Sequence, residues 1–445
     1  MNYEETLQFL YNQLPAYHRI GKAAYKSDLS NTIAFDNYLG APHRNYRTIH
    51  IGGTNGKGSV SHMTASVLME AGLKTGLYTS PHLMDFRERI KVNGAMIPKQ
   101  NVINFIRKHS GIIGRIKPSF FEMTVAMAFD YFARENVDVA VIEVGLGGRL
   151  DSTNIIMPVL SVITNIGHDH MDLLGDTLEK VAWEKAGIIK SRIPAVIGET
   201  QEQTKNVFIA KARETDSPVF FADQNYKCTL DEPDYSSESR NYEITESPGG
   251  RRIKGSVGLK GDYQKKNIQT VFQSFQILKG MFPLSDDNLA NGIRKVTRNT
   301  GLMGRWQIIG RDPLMICDTG HNREGISYVL EQLRKIKKGE THFVIGFVND
   351  KDLGPVLPLF PADAKYYFTK ASVPRALDSK ELKEKAHKCG LKGESFGDVA
   401  SAIRSARQNS SLSDLIFIGG STFIVADALS YLNSGLFHQQ ANADC

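Results

Sequence analysis

A chain of 445 residues exceeds what one hydrophobic core ordinarily supports, so two or three domains are expected. With 41% hydrophobic and 23% charged residues, and no apolar run of about 18 residues, the composition is that of a globular protein without a bilayer-spanning segment. The formal charge of +6 is mild for this length and no basic run stands out, which argues against a nucleic-acid partner and leaves room for small anions held by local Gly, Lys and Arg clusters.

The opening stretch, MNYEETLQFLYNQL, has early acidic residues and neither an apolar core nor a small-residue cleavage site, so a cytoplasmic protein is expected. Four scattered cysteines, Cys228, Cys317, Cys389 and Cys445, lack C-x-x-C spacing and fit a reducing compartment better than a disulfide or zinc framework.

RTIHIGG (47–53) reads as a strand. In SVSHMTASVLMEAG (59–72), Val60, Met63, Val67, Leu68 and Ala71 recur at helical spacing, with Gly72 as the stop. Between them lies GTNGKGS (53–59), which departs from the usual G-x-x-x-x-G-K-[ST] loop because Gly58 separates Lys57 from Ser59. Such a turn exposes successive backbone N–H groups at a helix N-terminus, where the dipole adds about half a positive charge. Lys57 suits terminal phosphates as a point charge, and the Ser59 or Thr54 hydroxyl suits a metal or phosphate oxygen. Nucleotide binding through Gly53, Thr54, Asn55, Gly56, Lys57, Gly58 and Ser59 is expected, against a glycine turn needed only for tight packing. The loop alone does not separate a kinase from an ATPase or a ligase.

Downstream, FFEMTVAMAFDYFA reads as a helix, and VDVAVIEVG (137–145), VLSVITNIG (159–167) and IPAVIGE (193–199) as buried strands. This alternation predicts an α/β fold with a mainly parallel sheet, whose ligands gather at the strands' carboxyl ends. Glu143 ends the first of these strands, where burying a carboxylate costs several kcal/mol unless it is compensated. It is therefore a candidate Mg²⁺ ligand, the alternative being an ion pair with Arg149. His170 follows the next strand and is either a ligand of the same metal or structural. Asp176 and Glu179 form a predicted capping box, opening a helix on which Lys185 has Val181, Ala182, Ile188 and Ile189 as neighbours. A lysine on an apolar stripe snorkels, pairs with an acid or is chemically modified, and composition does not choose among these.

Residues 225–256 are rich in turn formers and predict an antiparallel hairpin or small meander that covers the domain and takes no part in catalysis. After a helix at 288–296, TRNTGLMGRW has the composition of a link between domains. PLMICDTG, THFVIGFV, AKYYFTKA and DLIFIGGS then read as strands of a second, smaller α/β domain, with GISYVLEQLRKI as one of its helices, and HQQANADC as a frayed tail. The expected domains are 1–297 and 298–445.

Taken together, these stretches resemble the folylpolyglutamate synthase and dihydrofolate synthase family within the Mur-ligase superfamily. The resemblance rests on GTNGKGS (53–59), TSPHL (79–83), RERI (87–90), FFE (120–122), EVGLGGRLDSTN (143–154), TNIGHDHMDLLG (164–175), EKAGI (184–188), GDYQKKN (261–267), GRWQ (304–307) and DTGHN (318–322). It implies the Mur ligase fold: a P-loop-type ATP-binding domain with a mainly parallel sheet, followed by a smaller Rossmann-like domain. It further implies that the γ-phosphate of ATP is transferred to a substrate carboxylate, and that the amino group of L-glutamate attacks the resulting acyl phosphate. The acceptor is dihydropteroate or a reduced folate, and the enzyme acts as a monomer with Mg²⁺ at two sites.

By this resemblance the metal ligands map onto Ser80, Glu143 and His170, with Ser59 at the loop. Lys185 falls where the family carries a lysine carbamylated by CO₂, which turns a cation into an anion facing a second metal. Asn267 corresponds to an asparagine at the adenine end, Arg305 to an arginine on the nucleotide phosphates, and Asp318 and His321 to a pair near the γ-phosphate and incoming amine. Lys57, Lys185, Asp318 and His321 are thus the implied catalytic groups. Domain closure is expected to exclude water from the acyl phosphate, and Phe120, Phe121 and Arg87 are candidates for the pteridine pocket. Thr319 and Gly320 stand where Gly-Ala is common, Met303 replaces a common proline, and Tyr263 replaces a common histidine. Two other readings remain: another Mur-type amino-acid ligase, and a nucleotide-hydrolysing binding protein that forms no bond.

Overall fold

The computed structural model of the chain describes residues 1–13 and 28–434, so the HQQANADC tail and Cys445 lie outside the described residues. The chain divides into two compact units, one of residues 1–82, 86–258 and 263–302, the other of residues 83–85, 259–262 and 303 onward. The stretch read as a link begins as a short helix, Val296–Thr300, closed by Gly301 in the left-handed region, and the units part after Leu302.

The first unit is built on eight strands: β1 (Arg47–Gly52), β2 (Thr75–Tyr78), β3 (Ile90–Val92), β4 (Ala95–Met96), β5 (Val139–Glu143), β6 (Leu160–Ile163), β7 (Ala195–Ile197) and β8 (Val219–Phe221). Their order is β4-β3-β2-β5-β1-β6-β7-β8, parallel from β2 to β8, with β3 and β4 antiparallel at one edge. Both faces of the sheet are covered, which is why β5, β2 and β6 are buried at every residue and read as continuous apolar runs. Ile51 pairs with Glu143 and Gly52 with Ile163, so the chain leaves β5, β1 and β6 at one level. The connection from β1 runs toward β2, whereas that from β6 runs the other way toward β7. Diverging connections leave a crevice at the carboxyl ends of β1 and β6.

Helix α1 (Lys57–Glu70) follows β1 and is buried from Gly58 to Leu68, polar residues included. Helix α2 (Phe120–Arg134) opens with a capping box in which Ser119 and Glu122 each take the other's backbone N–H, an arrangement contributing about 1 kcal/mol. Helix α3 (Leu178–Ala186) is capped by Thr177, whose hydroxyl accepts from the Lys180 N–H. This corrects the capping box expected at Asp176 and Glu179. Asp176 instead pairs with the Lys180 ammonium at 2.7 Å, because the helix begins one residue later and its side chain falls outside the first turn.

Helices α4 (Gln264–Leu278) and α5 (Asp286–Arg294) pack on α1. Between β8 and α4 lies an antiparallel meander of β9 (Tyr226–Leu230), β10 (Arg240–Glu246) and β11 (Arg252–Val257), where the turn-rich composition predicted one.

The second unit carries a six-stranded sheet of β12 (Gln307–Arg311), β13 (Leu314–Asp318), β14 (Thr341–Ile345), β15 (Lys365–Phe368), β16 (Gly393–Ser395) and β17 (Leu415–Gly419). Its order is β12-β13-β17-β14-β15-β16, parallel except for β12. Helix α6 (Arg323–Ile336) follows β13 and is capped by Asn322, which accepts from the Gly325 N–H at 2.8 Å. Among the described residues, no helix is long and apolar enough to cross a membrane.

Candidate active site

In the first unit the loop 53–59 sits in the crevice at the end of β1, held from β6. The Thr54 N–H donates to the Asn165 carbonyl at 2.9 Å, the Asn55 N–H to Asn165 Oδ1 at 2.9 Å, and the Thr164 hydroxyl to the Asn55 carbonyl at 2.6 Å. Two glycines are fixed by geometry. Gly53 has φ +134°, and a Cβ there would lie 1.9 Å from Thr164 Oγ1. Gly56 has φ +88°, and a Cβ there would lie 2.3 Å from Asn267 Oδ1. Only glycine tolerates both conditions at either place. Asn267, on α4, therefore touches the loop, and its amide donates to Gln264, whose own amide reaches the buried Ser59 hydroxyl at 3.2 Å. The Thr54 hydroxyl is engaged by the Gly167 N–H at 3.0 Å.

Two cations converge on this loop. Lys57 Nζ donates to the carbonyls of Gly53 and Thr54, each at 3.1 Å. Lys185 Nζ donates to the same Gly53 carbonyl at 2.8 Å. Lys185 is buried, with α3 holding it over the core formed by Val181, Ala182, Ile188 and Ile189, so it does not snorkel into solvent. Burial first, and the neighbouring Lys57 charge second, lower its pKa to about 7 against the support of Asp169 and Asp151.

Glu143 ends β5 with 4% of its surface exposed, and its Oε2 accepts from the Ser80 N–H at 3.2 Å. Arg149 is not its partner. It pairs with Glu184 on α3 at 2.8 Å and lies over the Trp183 ring, because its own N–H is tied to the Glu184 carbonyl at 2.7 Å. His170 follows β6 in the left-handed region at φ +52°, with Nε2 3.8 Å from the Asp169 carboxylate. A buried carboxylate at a strand end, a hydroxyl residue tied to it and an imidazole on the adjacent loop form a donor set suited to a divalent cation.

Sequence reasoning passed over Asp151, Thr164, Asn165 and Gln264. The Asp151 carboxylate accepts from the Leu146 N–H at 2.8 Å and from Thr153 through both N–H and hydroxyl, fixing the glycine loop that follows Glu143. The Asp-Ser-Thr pattern is the local signal of such a turn. Of the pteridine candidates, Phe120 is buried beneath the Arg89 guanidinium, whose carbon is 5.2 Å from the ring centre. Phe121 lies over Gly145, where a Cβ would meet the ring at 2.3 Å, and Arg87 lies over Tyr3.

In the second unit, Asp318 ends β13. Its two oxygens accept the N–H groups of Trp306 and Gly320, each at 2.7 Å, so this buried carboxylate joins the GRW turn to the loop after β13. Arg305 is half-buried and hydrogen-bonds the Thr319 hydroxyl and, at 3.2 Å, the Gly304 carbonyl. His321 Nδ1 lies 3.0 Å from the Thr319 carbonyl, one residue before the cap of α6. Arg305, Asp318 and His321 are thus brought together at one end of this sheet.

An anion-accepting loop with two lysines, a strand-end carboxylate and a second parallel-sheet unit is the arrangement of a Mur-type ligase. Residues 51–274 match the Mur ligase middle domain, and residues 304–422 match the family described as Mur ligase, glutamate ligase domain. The folylpolyglutamate synthase of Lacticaseibacillus casei is 33% identical over 388 residues, 85% of this chain and 87% of its own length. Escherichia coli FolC in complex with DHPP and ADP superposes with a TM-score of 0.84 at 27% identity, over 98% of each chain. A bifunctional folylpolyglutamate synthase/dihydrofolate synthase with Mn, AMPPNP and L-glutamate bound gives 0.82 at 25% identity, over 97% of this chain and 98% of its own. This chain spans 50% of the length of the probable bifunctional folylpolyglutamate synthase/dihydropteroate synthase of Haloferax volcanii, at 30% identity. The chain belongs to the folylpolyglutamate synthase/dihydrofolate synthase family, and it is an ATP-dependent carbon–nitrogen ligase of that family.

Proposed function

We propose that this enzyme joins L-glutamate to dihydropteroate, to the γ-carboxylate of a reduced folate, or to both, with ATP cleaved to ADP and phosphate. The observation that carries the reading is Lys57, whose three ammonium protons meet two carbonyls of its own loop, Gly53 and Thr54 at 3.1 Å each, at a turn shaped for phosphate. Such an excess of donors awaits an anion. In this reading the loop amides and Lys57 hold the triphosphate. The acceptor carboxylate attacks the γ-phosphorus and ADP leaves, and the amine of glutamate then displaces phosphate from the acyl phosphate. Asn267, at the loop's edge, serves the adenine end, and Arg305, Asp318 and His321 serve the phosphates and the incoming amine.

Glu143, Ser80 and His170 would hold Mg²⁺, with Ser59 nearby, and the ion would neutralise charge moving between the two anions. For Lys185 the proposal is carbamylation: the neutral amine attacks CO₂, a carbon–nitrogen bond forms and one proton is released, leaving a carbamate for a second Mg²⁺. The depressed pKa supports this, because only the free amine reacts, and a buried anion beside Lys57 replaces like-charge repulsion with attraction. Free thiols at Cys228, Cys317 and Cys389 agree with a cytoplasmic setting, where the enzyme acts as a monomer.

The test is phosphate release from the purified protein with Mg-ATP and L-glutamate, with dihydropteroate, with tetrahydrofolate and with neither, while mass spectrometry follows glutamyl addition. Product from both pterins establishes a bifunctional enzyme, and product from one the narrower activity. Glutamate-independent phosphate release without ligated product would overturn the proposal.

A further inference from the structure

Three side chains that the ligase reading does not use converge at the amino-terminal edge of the second unit's sheet, opposite the strand end that carries Asp318. Glu340 immediately precedes β14, His342 is the second residue of that strand, and Asp414 immediately precedes the neighbouring β17. Residues two apart on an extended chain share a face. The backbones lock them in place: the Leu415 N–H donates to the Glu340 carbonyl at 3.0 Å and the Glu340 N–H to Asp414 Oδ1 at 2.8 Å. One oxygen or nitrogen from each of the three lies within 4.8 Å of the others.

His342 is the informative member. It is 0% exposed, its Nδ1 lies 3.0 Å from the Tyr367 hydroxyl, and its Nε2 makes no hydrogen bond. Asp414 Oδ2 stands 3.5 Å from that nitrogen. This spacing is long for a hydrogen bond. It matches two ligands of one tetrahedral cation, which at bond lengths of about 2.0–2.1 Å stand roughly 3.4 Å apart. A ring nitrogen fixed by a hydroxyl, with the other nitrogen left open, is how an imidazole is oriented toward a metal.

Asp414 is oriented by the N–H groups of Ser411 and Glu340, which donate to it at 2.7 and 2.8 Å. Lys365, 2.6 Å from Glu340, is the facing cation, and both groups are about half exposed, so the ammonium can swing aside.

The geometry points to a site for one zinc-type divalent cation at Glu340, His342 and Asp414, clasping the amino ends of β14 and β17, with water completing the shell. One imidazole with two carboxylates suits zinc better than Mg²⁺, which prefers oxygen donors and keeps most of its waters. The site is therefore separate in place and in metal from the one proposed at Glu143.

The full-length protein, stripped with a chelator, is titrated with Co²⁺ without nucleotide and followed by visible absorption. Wild type and Glu143→Gln should gain the same low-coordinate Co²⁺ band at one equivalent, displaceable by Zn²⁺. Glu340→Gln should bind at least tenfold more weakly and lose the Zn²⁺-induced rise in thermal midpoint, while its ligase activity with Mg-ATP stays unchanged. Equal binding by wild type and Glu340→Gln, or loss of the band in Glu143→Gln, overturns the site. Because Glu340 is exposed, its variant decides the question even where His342→Gln fails to fold.

Discussion

At the scale of single residues, the site depends on charges held where little compensates them. Lys57 curls back onto the carbonyls of its own loop, a weak substitute for phosphate, and Lys57→Ala should lower kcat/KM by ~10² or more with the fold retained, measured by glutamyl addition. Lys185 carries a pH signature. Its folded pKa, about 7, lies below the 10.5 of an unperturbed lysine, so the unfolded chain binds the extra proton between these values. Stability should therefore rise with pH from about 7 toward 10 in CO₂-free buffer, and denaturant titrations of Lys185→Met should lack that rise. Adding bicarbonate should increase the mass of the wild-type peptide by one carboxyl group under non-acidic conditions and leave Lys185→Met unchanged. Gly56→Ala tests the cradle itself: the left-handed backbone and the Asn267 amide both oppose a Cβ, so weaker ATP binding is expected in calorimetry.

Among the elements, hydrophobic period and turn chemistry carried the most information. The runs at 137–145, 159–167 and 193–199 became β5, β6 and β7 because strands covered on both faces need no polar alternation. Caps were less legible. Asp176-x-x-Glu179 has the form of a capping box, yet Thr177 takes the position, since any of several adjacent polar residues can start a helix and packing of α3 selects one. Thr177→Ala should cost about 1 kcal/mol and lower the thermal midpoint, whereas Asp176→Ala should leave it unchanged. FFE, noted as a family motif, has a plain structural use as well: Glu122 closes the capping box of α2. Ser119→Ala would separate that structural use from any catalytic one.

For the whole molecule, the residues proposed to take part in the reaction are divided between the two units. His321→Ala should therefore reduce ligation by ~10² or more while a fluorescent ATP analogue still binds the loop in the first unit, a split measurable by comparing binding with turnover. By itself the sequence determined the α/β class, the strand–loop–helix around 53–59 and the strand-end place of Glu143, because each is written in neighbouring residues through period, glycine and charge. Tertiary structure alone decided which distant groups meet. Sheet register set Thr164 and Asn165 beside the loop, α3 carried Lys185 to the carbonyl shared with Lys57, and Arg149 went to Glu184 and not to Glu143. The pairing of β14 with β17 likewise placed His342 beside Asp414. No local pattern encodes such meetings, since they follow from strand order and register, which packing of the entire core selects.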